Sequence, residues 1–143
     1  MSVKVQVSEV IDRPVSVVFQ FHAHEHVRNH PRWDPCMKLK QVTDGPLGVG
    51  TIINKLNSRS GTPVEGTMEI VAFEPNQVLG MVIHDGPVEI NGRATYDVEN
   101  DNRTTLRLSL EFPDMDESMD TGLLTSQIQQ SIQNIKKLIE SES

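Results

Sequence analysis

Four histidines crowd one short stretch of the chain: His22, His24, His26 and His30. In an extended strand, His22, His24 and His26 would share one face. In a helix, the spacing i, i+4, i+8 would bring His22, His26 and His30 together instead. Either arrangement could hold Zn²⁺ or Ni²⁺ through imidazole nitrogens, but no neighbouring carboxylate or cysteine completes a ligand set. No metal and no cofactor is therefore expected.

Other ionisable residues fall inside segments that read as strands: Glu65, Glu69, His84, Arg93 and Glu111. A carboxyl or imidazole facing a dry interior could act as an acid or base. Arg93 and Glu111 alternate with apolar neighbours and should face water. Glu69 and His84 are the catalytic candidates, because the parity of their strands is ambiguous. Met68, Ile70 and Ala72 compete with Val71 and Phe73 for one inner face; Leu79, Met81 and Ile83 compete with Val78 and Val82 for the other.

Trp33 and Tyr96 are the sole residues of their types. Each can line a pocket and offer one oriented hydrogen bond. The glycine-rich stretch Asp44–Gly50 lacks the Gly-Lys-Ser/Thr of a phosphate loop and reads as a tight connection. Cys36, the single cysteine, cannot form an intrachain disulfide and suits a reducing compartment. Nothing flanking it suggests a reactive thiol, so it reads as a half-buried residue.

The elements that must position these residues follow from periodicity. Val3, Val5 and Val7 alternate with polar residues, which predicts a first strand ending near Ile11. Asp12-Arg-Pro14 starts a short helix bearing Val15, Val18 and Phe19. A second short helix is predicted over 23–29, stopping before Pro31, with Trp33-Asp-Pro35 irregular. Strands are predicted over 37–43, 51–58, 64–73, 78–84, 88–98 and 104–112, separated by Gly-, Pro- and Asn-rich turns. Ile90, Ala94, Tyr96 and Val98 should share one face of their strand, as should Leu106, Leu108, Leu110 and Phe112. All but one of the links between strands are hairpin-length, so the sheet should be mostly antiparallel.

Asp114 and Glu117 have capping-box spacing. Beyond them Leu124, Ile128, Ile132, Ile135 and Ile139 make one apolar stripe, which Met115 and Met119 extend. The predicted helix over 115–140 would be ~39 Å long and must lie against the concave face of the sheet. A bent sheet closing on one helix leaves a gap suited to a ligand. Trp33, Met81, Tyr96, Leu110, Phe112, Met115, Met119, Leu124 and Ile128 are the expected lining.

Bulk properties narrow the partners. The chain has 143 residues and a formal net charge of -7. Its basic residues are scattered, which argues against nucleic acid and anionic membranes. Aromatics are 4% of the chain, so the core must be aliphatic. No apolar run suggests a signal peptide or a membrane span, and the protein reads as cytoplasmic.

Three segments also carry a resemblance. Ile11-Asp-Arg-Pro-Val-Ser-Val-Val-Phe19, His30-Pro-Arg-Trp-Asp-Pro35 and Asp44-Gly-Pro-Leu-Gly-Val-Gly-Thr51 are similar to segments of the SRPBCC superfamily, and Phe73-Glu-Pro75 fits the end of its fourth strand. The superfamily includes polyketide cyclase/dehydrase-like proteins, START lipid-transfer domains and birch-pollen allergen relatives. The resemblance spans nearly the whole chain. It implies one α+β helix-grip domain over 1–143: a curved seven-stranded antiparallel sheet wrapped around a long C-terminal helix, with two short helices between strands 1 and 2. It also implies that the histidine segment is an exposed helical loop, which makes the cluster a solvated, titrating surface group. Three functions are compatible with it. The first is binding of a small hydrophobic or amphipathic molecule in an internal cavity. The second is a cyclase/dehydrase-like enzyme using acid–base residues there. The third is a co-chaperone-like interaction module using the sheet exterior. A monomer or a homodimer is expected, since an exposed edge strand could pair with a second copy.

Overall fold

A computed structural model describes residues 3–59, 61–115 and 121–142. Strand β1 (Val3–Ile11) leads into helix α1 (Val15–Phe19), a π-helical turn (Gln20–His24) and helix α2 (His26–Trp33). Six strands follow: β2 (Met37–Gln41), β3 (Ile52–Asn57), β4 (Val64–Glu74), β5 (Val78–Asp85), β6 (Val88–Asn100) and β7 (Arg103–Phe112). Helix α3 (Gly122–Glu142) comes last. The strands form one antiparallel sheet in the order β1-β7-β6-β5-β4-β3-β2. Hairpins make every neighbour except the closing pair, where Val3 stands opposite Phe112 and Ile11 opposite Thr104. The fold is the expected helix grip.

The stripe on α3 has two fates. Ile132, Ile135 and Ile139 are fully buried and pack into a core with Val7, Ile11, Phe19 and Leu106. Leu124 and Ile128, nearer the N-terminal end, are only partly covered and face a cavity. The helix begins at Gly122, not at the expected residue 115. Pro113 and Asp114 lie in a turn closed by the Met115 N–H donating to the Phe112 carbonyl, 3.3 Å. Glu117 of the expected capping box lies outside the described residues, as does Met119.

The second short helix also differs from expectation. Instead of ending before Pro31, α2 runs through it to Trp33. Proline cannot donate the bond that would reach the Val27 carbonyl. Side-chain bonds hold the segment instead. Buried Asn29 donates from Nδ2 to the Phe21 carbonyl at 2.9 Å and accepts from Arg32 at 2.9 Å. Asn134 of α3 donates to the Trp33 carbonyl at 3.0 Å, which fixes the end of α2.

A bulge in β4 settles the parity left open by the sequence. Ile70 pairs with Met81, yet Ala72 pairs with Gly80, so Val71 is the extra residue and is 48% exposed. Before the bulge Met68 and Ile70 face inward; after it Phe73 packs against Phe19, with ring centroids 5.3 Å apart. Inward Phe73 therefore coexists with outward Glu69. A second irregularity, between Val98 and Asn100, accompanies the solvent-exposed position of Val98, which had been expected on the apolar face.

Candidate ligand cavity

The concave face of the sheet does not close completely on α3. A cavity of about 380 Å³ remains between the sheet, α2 and the first turns of α3. One end is aliphatic: Ile83, Val88, Ile90, Leu108, Leu110 and Phe112 from the sheet, Met115 from the turn after β7, and Leu124 and Ile128 from α3. The other end is polar and holds His26, His30, Asp34, Lys55, Asn57, Arg59 and Asp85. Trp33, Met68, Leu79 and Met81 also line the wall.

Seven of the nine residues expected to line a pocket do so: Trp33, Met81, Leu110, Phe112, Met115, Leu124 and Ile128. Tyr96 does not. It is buried in the core, edge-on to Phe19 with centroids 4.9 Å apart, and its hydroxyl lies 2.6 Å from His22 Nδ1. The catalytic candidates are corrected as well. Glu69 and His84 are both exposed on the convex face, because Met68, Ile70, Met81 and Ile83 take the inner positions. Arg93 is exposed, as the alternation in its strand requires, but it also borders the cavity.

The histidine cluster is not a solvated surface group. His22 and His26 are buried, and all three of His22, His26 and His30 line the cavity; only His24 is exposed. The π-helical turn interrupts the ordinary helical ladder, with the Glu25 N–H reaching back to the Gln20 carbonyl at 3.0 Å. Around it the rings form a chain. His26 Nδ1 donates to the His22 carbonyl at 2.8 Å, and His26 Nε2 lies 3.0 Å from His30 Nδ1. His22 and His30 both stack on Trp33, with centroids 5.2 and 5.0 Å away. Among the described residues, no group of three or more His, Cys, Asp or Glu side chains is arranged to hold a metal ion.

Burial makes all three rings poor bases. It is the main cause that holds His22 well below 6.5, with His26 adding to it. Burial lowers His26 to about 4, against the opposing bond to the His22 carbonyl. His30 is also well below 6.5, from burial first and then the positive charges of neighbouring groups, Lys55 and Arg59 included. All three are neutral at pH 7. Burial likewise raises the Tyr96 hydroxyl well above 10, so it keeps its proton.

Lys55 is the functional candidate missing from the sequence reading. It is buried on the inner face of β3, with its Nζ 3.3 Å from Asp85 Oδ1. In register, Lys55 stands opposite Gly66, and Gly66 opposite Asp85, so no side chain separates the pair. Asn57 Nδ2 donates to Asp85 Oδ2 at 3.1 Å. Burial lowers the Lys55 ammonium, and Asp85 partly restores it. Beside them Arg59 pairs with Asp34 at 2.5 Å. The polar end thus contains two cations and two anions, already matched.

The family profile described as polyketide cyclase/dehydrase and lipid transport matches residues 2–140. No curated protein matches the sequence. Solved structures share the fold at low identity. One is Ara h 8.0201, with a TM-score of 0.74 and 16% identity, covering 99% of this chain and 97% of that one. Norcoclaurine synthase from Thalictrum flavum, in complex with dopamine and hydroxybenzaldehyde, gives 0.73 and 14%, covering 100% and 89%. The Zhui aromatase/cyclase from a Streptomyces species gives 0.74 and 12%, covering 98% and 94%. No described helix is long and apolar enough to cross a membrane. With the profile matching almost its whole length and the helix grip in place, the chain belongs to the polyketide cyclase/dehydrase and lipid transport family, within the SRPBCC superfamily.

Proposed function

We propose that residues 1–143 act as one domain that binds a small hydrophobic or amphipathic molecule in the cavity between the sheet and α3. The single observation that carries this reading is the cavity itself. At about 380 Å³ it falls within the range of small-molecule sites, and its long wall is aliphatic with charged groups gathered at one end. Burial of apolar surface supplies the affinity, and the polar end sets the orientation. Met68, Met81 and Met115 give the wall adaptable side chains.

Native mass spectrometry of freshly purified protein tests the reading, together with titration of an environment-sensitive naphthalene dye. A bound small molecule, or dye binding lost in Ile128→Trp with the melting temperature preserved, is the expected result. Dye binding that is unchanged when the cavity is filled by the indole would sink it.

One observation favours a second reading, an acid–base enzyme of the cyclase/dehydrase kind. A neutral imidazole, His30, and a buried ammonium, Lys55, line the same cavity. An ammonium near a carbonyl oxygen would stabilise an enolate while a base removes the adjacent proton. Deuterium exchange into a 1,3-diketone, faster than background and abolished in Lys55→Met, is the expected signature.

A further inference from the structure

We propose that the cavity selects an uncharged apolar molecule bearing a hydroxyl group, and that His30 Nε2 accepts the hydroxyl's hydrogen bond. The inference rests on the binding role proposed above and narrows it to a ligand class.

The argument runs along the imidazole chain. The His22 carbonyl can only accept, so the proton of neutral His26 is on Nδ1. His26 Nε2 then carries a lone pair. The 3.0 Å contact with His30 Nδ1 is a hydrogen bond only if His30 donates, which puts the His30 proton on Nδ1. Neutral His30 is left with a bare Nε2. That nitrogen has no hydrogen-bond partner among the described residues, and its ring lines the cavity. One peptide carbonyl, two residues away in the chain of bonds, thus fixes an acceptor on the cavity wall.

Charge excludes the obvious competitor. A carboxylate ligand brings no proton for His30 Nε2. The two cations nearest His30 are also already matched, Lys55 by Asp85 and Arg59 by Asp34, and the third cation at the cavity, Arg93, is exposed to water. An alcohol or phenol supplies the missing donor without adding charge. The aliphatic end then covers the rest of the molecule.

The test compares 2-naphthol, 2-methylnaphthalene and 2-naphthoate in equilibrium titrations with the full chain. One buried hydrogen bond predicts that naphthol binds roughly tenfold tighter than either. In His30→Phe the ratio of naphthol to methylnaphthalene affinity should fall to about one. Naphthoate binding tightest, or a naphthol advantage that survives in His30→Phe, overturns the proposal. Should His30→Phe not fold, nitrogen-resolved NMR of the unaltered protein decides. His26 and His30 should both carry the proton on Nδ1, and naphthol should shift the His30 Nε2 signal. A proton on His30 Nε2 overturns the proposal even where binding occurs. Failure of all three compounds to bind, with the tautomers as stated, would instead overturn the binding reading beneath it.

Discussion

Lys55 and Asp85 lie two strands apart, each opposite Gly66, and meet at 3.3 Å on the inner face of the sheet. A buried ammonium without its counter-charge is costly, whereas the Asp85 carboxylate left without the ammonium keeps the Asn57 hydrogen bond and partial access to water. Asp85→Ala should therefore lower stability by about 2 kcal/mol, less than the loss for a fully buried pair because Asp85 reaches water. Lys55→Met should cost less than about 1 kcal/mol. Urea melts of the two variants check the ordering; a larger loss in Lys55→Met than in Asp85→Ala would contradict it.

Gly66 and Gly92 both sit in strands on the cavity side, yet they should respond differently to alanine. A Cβ at Gly66 would come within 1.9 Å of the His84 carbonyl oxygen, a backbone atom that cannot turn away. A Cβ at Gly92 meets the tips of Ile83, at 3.3 Å, and Leu110, at 3.5 Å, and reaches the Met81 carbonyl only at an ordinary 3.9 Å. Gly66→Ala should cost roughly 3 kcal/mol or more, through disrupted pairing of β4 with β5. Gly92→Ala should fold with a loss below about 1 kcal/mol and a smaller cavity. Thermal melts and dye titration read both effects.

The neutral histidines predict acid sensitivity in a defined window. Their folded values are depressed, so the unfolded chain binds protons that the folded chain refuses. Stability present above about 6.5 is lost as pH falls from there toward 4, the folded value of His26. Each unit of depression corresponds to about 1.4 kcal/mol. Carboxylates such as Glu140, held below 4.5 by the Asp12 backbone N–H and by Lys136, act only at lower pH. The urea midpoint should drop between pH 7.5 and pH 5, and an unchanged midpoint would rule the arrangement out.

The two halves of α3 should differ as sharply. Ile135→Ala empties a fully buried site and should cost roughly 3 kcal/mol. Leu124→Ala enlarges a space that is already open, so its cost should stay below about 1 kcal/mol. Equal losses in chemical denaturation would mean that Leu124 is core.

Much of this architecture is legible in the residues. Alternation in β1 and β7, turn chemistry between strands and the isoleucine stripe on α3 each report a local rule, and the rules agree. What the residues conceal is non-local. The β4 bulge shifts side-chain parity midway, so no single face assignment fits both Ile70 and Phe73. Lys55 follows Ile53 at the inward parity, but Ile52 and Leu56 offer the opposite parity equally well. Its partner emerges only from register across three strands. The histidines are misplaced because the resemblance assigns their segment to an exposed helical loop. The i, i+4, i+8 spacing was the usable signal, and the bond from His26 to the His22 carbonyl is what let them be buried.

The division of α3 separates two kinds of selection on a single element. Substitutions at 132, 135 and 139 are answerable to folding, while those at 124 and 128 reshape the cavity. Lineages descended from such a helix can diversify their specificity at its N-terminal turns without renegotiating the scaffold. The same boundary marks where a library meant to change the ligand should begin and end.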